Sequence, residues 1–308
     1  MGGRWGTWAR RRGGDVRLQG RRRDTWPPER GRHVWPQGRR GAALAATYLI
    51  LTLGGLAVVF PFVWMLVTSF KPFYETFSLQ FLPSEPTLDN YRQVLFTTRF
   101  ARWYLNSLLV ASATTLSVLF FDSLVGYTLA KLRFAGRDLV FVLILSTLMV
   151  PTEMLVIPWF VTSSERGWID TYWGIAFPGL ITAFGVFLMR QFFQTLPDDL
   201  LDAGRIDGVS EFGLFLRVAL PLVRPALSAL AIFTFLGNWN AFLWPLIVIQ
   251  SNAMRTLPVG IALFSGEAGS EWNLIMAASS LAIVPVLVVF AIFQRQIIEG
   301  VVLTGVKG

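Results

Sequence analysis

DAGRIDGVSEFGLFLRVALP, Asp202 to Pro221, is a polar, glycine-punctuated stretch set between two long apolar ones. Five acids crowd this region, Asp198, Asp199, Asp202, Asp207 and Glu211, in a chain of formal net charge +8. Its pattern reads as two short helices. Proline suits the first turn of a helix and acids suit its positive end, so Leu196-Pro197-Asp198-Asp199 is a helix start. Gly208 is the stop, a residue able to adopt a left-handed conformation. Ser210 caps the second helix and Pro221 ends it. On that helix Phe212, Phe215, Leu216 and Ala219 fall at i, i+3, i+4 and i+7, one apolar face. Ala203-Gly204 forms a small patch where another backbone has room to approach. Such a loop is either an ordinary surface hairpin or a docking element.

The surroundings are those of a membrane protein. Only 15% of the 308 residues are charged, against roughly 25% in soluble domains, and 54% are hydrophobic. The mean hydropathy is +0.53. Six apolar stretches, about 44–69, 105–130, 139–161, 172–195, 225–249 and 274–294, are each long enough as a helix to cross a hydrocarbon core of about 30 Å. Helices are the open-chain structures that pair every backbone group internally in lipid.

Lys and Arg set the expected orientation. With the N-terminus inside, the inner segments hold twelve basic residues in 1–43, three in 131–138, four in 190–224 and two beyond 294. The outer segments hold six: Lys71, Arg92, Arg99, Arg102, Arg166 and Arg255. That asymmetry predicts N-in and C-in. Trp103, Trp159, Trp168, Trp173, Trp244 and Trp272 fall near the outer ends, where amphipathic rings favour the interface. Residues 1–43 are expected to be a disordered basic tail that reinforces this topology, in contact with lipid rather than nucleic acid, and 44–308 the membrane domain.

Several chemistries are excluded. There is no cysteine, and the single histidine, His33, lies in the tail. A Ser-His triad, a histidine metal site or a cysteine nucleophile in the membrane has no residues to use. No phosphate-binding loop motif occurs, so ATP is not bound that way. No catalytic residue, metal or cofactor is expected. A stand-alone secondary transporter would show several buried ionisable groups and repeated bundles, which the sequence lacks.

Polar groups inside the spans have two readings each. Asp122 is either functional or hydrogen-bonded to a neighbouring helix. Glu153, between Pro151 and Pro158, suggests a bent helix lining a cavity, as a pathway group or one half of a structural pair. Asn238, Trp239 and Asn240 carry the groups a sugar needs, amides for hydroxyls and an aromatic face for C–H surfaces, but helix packing is the preferred reading of the three.

The opening stretch resembles the Glu-Ala-Ala loop of binding-protein-dependent ABC importer permeases: Glu-Ala-Ala, three residues, Gly, nine residues, Ile-x-Leu-Pro. Here Asp202-Ala203-Gly204 precedes Gly208 by the same spacing, and Val218-Ala219-Leu220-Pro221 comes nine residues later. Asp replaces Glu, Gly replaces the second Ala and Val replaces Ile. SFKP at 69–72, PTLDNY at 86–91, NS at 106–107, NWNAFLWPL at 238–246, TLPVG at 256–260 and GVVLTGVKG at 300–308 resemble the carbohydrate branch, similar to the six-span maltose-type subunit. The resemblance implies an all-α integral membrane fold in the cell membrane, with a cytoplasmic helix-turn-helix coupling loop between spans four and five. Asp202, Ala203, Gly204, Gly208, Leu220 and Pro221 would form the ATPase-coupling element. It also implies a second homologous permease, two cytoplasmic ATP-binding subunits and an extracytoplasmic solute-binding protein. The cargo would be a sugar or oligosaccharide, with a polyamine, glycerol phosphate or similar solute as the alternative.

Overall fold

The structure, a computed structural model, describes residues 37–266 and 269–293. Of the expected tail 1–43, residues 1–36 with His33 lie outside them, as does the closing GVVLTGVKG string, while 37–43 are helical. Two compact units divide the chain, Met1–Val58 and Val59–Gly308, with the boundary inside the first helix, α1 (Gln37–Ser69). In the first unit every side chain from Leu44 to Val58 is exposed.

The second unit is built around α3 (Phe100–Lys131). Thirty-two helical residues extend about 48 Å, longer than a hydrocarbon core of about 30 Å is thick. Four buried clusters hold the unit together, and α3 contributes to each: Trp103 and Ala111, Val118 and Tyr127, Val110, and Leu129. Small residues let its neighbours approach closely. A Cβ on Gly126 would lie 2.8 Å from Met189 Cβ and 2.9 Å from the backbone N of Arg190. Gly126 therefore fixes the crossing of α3 with α7 (Ala183–Gln194).

Three described helical stretches are continuous and apolar enough to span a membrane: Leu44–Ser69, Phe100–Lys131 and Trp272–Phe293. The last contains α14 (Trp272–Ala282). The other expected spans are interrupted. The third bends by 93° between Arg137–Met149, which opens with α4 (Arg137–Ser146), and Thr152–Glu165, which closes with α5 (Val156–Glu165). Of its two prolines only Pro151 sits at the bend. Pro158 occupies the first turn of α5, where no intrahelical N–H is required. The fourth bends by 45° between Tyr172–Gly179, which begins with α6 (Tyr172–Ala176), and α7. The fifth, expected to run unbroken over 225–249, stops at Trp239, and the chain turns through Asn240–Phe242. Pro245 accounts for the interruption, because in a continuous helix its ring would clash with the carbonyl four residues back. Two helices flank this break. α11 (Arg224–Trp239) precedes it, and α12 (Leu243–Val248) holds Pro245 in its first turn.

Side-chain amides and one lysine organise the segments that follow α1 and α12. Asn90, on the short helix α2 (Asp89–Phe96), donates to the carbonyls of Ser69 and Lys71 at 2.8 Å each. Asn106 donates to the carbonyls of Ala253 and Arg255 and accepts from Tyr172 Oη at 2.7 Å. Lys71 is fully buried, with Nζ 2.6 Å from the Gln80 carbonyl and over the Trp64 ring. The 253–255 carbonyls lead into α13 (Leu257–Ile261), where Gly260 packs directly on the Trp103 ring. A two-stranded hairpin, Ser265–Gly266 with Gly269–Ser270, connects onward to α14.

Candidate functional site

The loop between α7 and α11 is a helix-turn-helix. α8 (Asp198–Ile206) starts after Pro197, with Asp198 and Asp199 in its first turn and Arg205 in its last, each charge suited to the dipole end it occupies. Gly208 ends it in the left-handed region at φ +77. Its N–H reaches the Arg205 carbonyl, while Val209 N–H reaches that of Gly204, which satisfies the terminal carbonyls of α8. Ser210 accepts from Gly213 N–H at 3.2 Å and opens α9 (Glu211–Leu214).

The second helix departs from the simple 3.6-residue pattern. Residues Phe215–Ala219 form a π turn, and Leu220 N–H reaches the Phe215 carbonyl five residues back. It lies immediately before Pro221, whose missing N–H and bulky ring disfavour a regular α turn there. The helix closes with α10 (Leu220–Leu222), one residue beyond Pro221. The buried face is Leu214, Phe215 and Ala219, all fully buried, so Phe215 and Ala219 lie on the face the spacing gave them. Phe212 and Leu216, expected on that face, are exposed. The Ala203-Gly204 patch also differs from expectation. Ala203 is exposed, but a Cβ on Gly204 would lie 2.4 Å from Leu214 Cδ2, so Gly204 serves the packing of α8 on α9.

Charges on the loop are largely paired within the chain. Arg205 holds Asp202 through Nη1 at 2.6 Å and grips Glu211 through Nε at 2.6 Å and Nη2 at 3.2 Å. These bonds raise the Arg205 pKa, the Glu211 bond contributing most, and the Arg205 bond holds Glu211 below the usual carboxylate range. Asp198 is likewise lowered by its hydrogen bond from Lys131, at 2.6 Å. A cleft of about 450 Å³ opens among Lys131, Arg133, Asp198, Asp202, Arg205 and Glu211. Asp199, Asp207 and Ile206, the last 87% exposed, complete the outward surface. Asp202, expected near the middle of the first helix, is there and exposed.

The candidate pathway residues are dispersed. Glu153 is exposed, on the short 3₁₀ turn directly after the break at Pro151. Asn238 donates to the Thr234 carbonyl, and Asn240, exposed, to that of Leu236. Trp239 is buried: its ring stacks on Phe235, meets Tyr104 edge-on, and its N–H reaches the Ala282 carbonyl at 3.2 Å. That is the packing alternative for Trp239, with Asn240 left as the open group of the three. Asp122 also takes its structural alternative. It accepts the Thr182 N–H and hydroxyl where the fourth span breaks. Sequence spacing does not show that link, because the partners are 60 residues apart.

A match to the family described as binding-protein-dependent transport system inner membrane component covers residues 122–302, which includes the whole loop and both helices beside it. The chain belongs to that family. Relatives agree over most of its length. The arabinooligosaccharides transport system permease protein AraQ of Bacillus subtilis (strain 168) is 39% identical over 82% of this chain and 92% of its own. The trehalose/maltose transport system permease protein MalG of Thermococcus litoralis is 33% identical over 81% and 92%. A chain from the crystal structure of a bacterial ABC transporter involved in the import of the acidic polysaccharide alginate superposes with a TM-score of 0.75. The match covers 85% of this chain and 98% of that one, at 22% identity, a likeness of fold. The protein is thus an inner-membrane permease of a binding-protein-dependent transport system, a multi-pass helical membrane protein.

Proposed function

We propose that this permease forms half of the translocation pore of an ATP-driven importer for a sugar or oligosaccharide, with a second homologous permease as the other half. It carries six spans with both termini in the cytoplasm. The loop from Asp198 to Pro221 docks on one of two ATP-binding subunits, and a solute-binding protein delivers cargo on the opposite side. No chemistry is done on the cargo: hydrolysis on the partner swings the pore between its two accessible states. The observation carrying this reading is the exposed helix-turn-helix of α8 and α9 at the spacing of the coupling pattern, projecting from one end of α3. The cargo class rests on the sugar names of the relatives at 39% and 33% identity.

Replacing Gly208 by Val and Asp202 by Lys tests the coupling role. A β-branched residue at φ +77 costs about 1–2 kcal/mol, on an exposed loop that the spans do not need. Asp202→Lys adds a second cation beside Arg205. Both proteins should reach the membrane and pair with the second permease, yet lose copurifying ATPase. Retention of the ATPase by both would refute the docking assignment. Uptake of glycerol 3-phosphate with no uptake of oligosaccharide would overturn the cargo class.

A further inference from the structure

Both covalent entries to the loop are interrupted. On one side the chain leaves α7 at Gln194 and re-forms a helix only at Asp198. On the other, Glu211–Leu222 meets Arg224–Trp239 at 84°. Interrupted hydrogen-bond ladders bend more readily than continuous helices, so neither entry passes a displacement of the loop faithfully into the membrane.

α3 supplies an uninterrupted route. Tyr127, 2% exposed near its inner end, packs its ring 5.5 Å from Phe193 and 5.4 Å from Phe215. Its hydroxyl lies 3.3 Å from Glu211 Oε2 and donates to it. The same carboxylate is held by Arg205, and Arg205 holds Asp202, so the second helix, the first helix and α3 share one polar junction. One turn further along α3, Lys131 donates to Asp198 and to the Leu196 carbonyl, both at 2.6 Å. Five residues before Tyr127, about 7.5 Å along the axis, Asp122 grips Thr182 at the break of the fourth span. A rigid helix clamped to the loop at its end and to the fourth-span break at Asp122, in the same half, moves both together.

We propose that Tyr127 and Glu211 are positioning residues that lock the coupling loop to α3, and that α3 carries the loop's displacement to the fourth-span break at residues 180–182. The proposal rests on the docking role of the loop given above. It assigns the contact of Tyr127 with Glu211 a transmission role, added to the docking role of the loop itself.

The test needs no knowledge of the cargo. Ile181, 55% exposed, lies in the break, and the native chain has no cysteine. Ile181→Cys is placed in the complete complex with its ATPase subunits, reconstituted in vesicles. Its labelling rate by a small maleimide is compared with and without ATP plus vanadate. The parent should show a nucleotide-dependent change of rate. Tyr127→Phe, which removes one oxygen and keeps the ring packing, and Glu211→Gln should shrink that change at least about fivefold, the lower end of typical coupling between sites. In Tyr127→Phe, whose residue lies on α3 outside the docking loop, the ATPase should still copurify and hydrolyse. A full-sized change in both variants would overturn the proposal, as would a parent whose residue 181 ignores nucleotide. Retention of the ATPase by both Gly208→Val and Asp202→Lys would instead defeat the docking assignment. The two failures are therefore distinguishable.

Discussion

Asp122 and Thr182 are joined by three contacts: the backbone N–H at 3.0 and 3.1 Å from the two carboxylate oxygens, and the hydroxyl at 2.6 Å. Thr182 in turn caps α7 by accepting from Gly185 N–H. A carboxylate in the interior of a membrane domain is costly, and here each oxygen is satisfied by the freed backbone of a helix start. Removing the acceptor leaves that half-buried N–H and hydroxyl without a group to donate to. Asp122→Leu should therefore cost about 1.5–3 kcal/mol, the range for hydrogen bonds to charged groups, and lower the unfolding midpoint in detergent. Asp122→Asn retains one acceptor oxygen and should lose less. Equal midpoints for Leu and wild type would show that the link contributes nothing.

Close approach of α3 and α7 gives a second test. A Cβ on Gly185 would sit 2.1 Å from Asp122 Oδ2, and one on Gly126 would meet the α7 backbone. Gly54, by contrast, has nothing within 4 Å. Gly126→Ala and Gly185→Ala should destabilise by about 1–3 kcal/mol through overpacking. Gly54→Ala should be neutral or improve folding by up to about 1 kcal/mol through helix propensity. Thermal unfolding of the three variants side by side measures this. A Gly126→Ala protein as stable as Gly54→Ala would contradict the packing described.

The six apolar stretches and the loop are legible in the sequence because both depend on local pattern. Span-length hydrophobicity needs no partner, and Gly208 and Ser210 announce a left-handed stop and a cap by residue type alone. Pro151 likewise signals the bend in the third span. The break at Asn240–Phe242 is legible only through Pro245, whose effect falls four residues upstream, and the apolar run alone hides it. The face of the second loop helix follows its periodicity in part: Phe215 and Ala219 are buried as spaced, Phe212 and Leu216 are exposed, and Leu214 is buried against Gly204 of α8, a contact that spacing within one helix does not show. Links such as Asp122 to Thr182, Tyr127 to Glu211 and Asn106 to Tyr172 join residues 60 or more apart, so they appear only once the helices are packed.

Lys71 predicts a local effect. It is fully buried with no carboxylate partner among the described residues, held by the carbonyls of Gln80 and Ser78 and by the Trp64 ring. Lys71→Met keeps the apolar stem but removes the donor, leaving the Gln80 carbonyl short of a partner at a cost of about 1–3 kcal/mol. The segment 73–85 should then open. Limited proteolysis should cut there several-fold faster in the variant, while the spans stay protected. Unchanged cleavage would show that Lys71 does not secure the segment, leaving bonds within it, such as Ser84 N–H to Glu75, to do so.

The loop's ion pairs set a pH dependence. Hydrogen bonds from Lys131 and Arg205 depress Asp198 and Glu211 below their free values. A depressed carboxylate contributes its stabilisation above its unfolded pKa, about 4 for these types, and loses it as pH falls through the folded value. Hydrogen exchange across 198–214, corrected for its intrinsic pH dependence, should stay flat from about pH 6 to 8 and rise steeply below about pH 4. A rise centred near neutrality would show that these pairs are not what orders the loop.

Orientation is the last expectation and the simplest to check. Basic residues are enriched on the side assigned to the cytoplasm, where a positive segment is retained during insertion. The enrichment stays on that side when the tail is left out, since 131–138, 190–224 and the residues beyond 294 hold nine against the six outside. Two exposed positions report on the two faces. Leu79, 97% exposed, lies in the segment after the first span, and Ile206, 87% exposed, lies at the end of α8. Each is replaced by cysteine in a chain with no other thiol. In intact cells an impermeant maleimide should label Leu79→Cys and leave Ile206→Cys unmodified until the membrane is opened. The reverse result would place the loop outside, where no ATPase can reach it, and the coupling assignment would fall with the orientation.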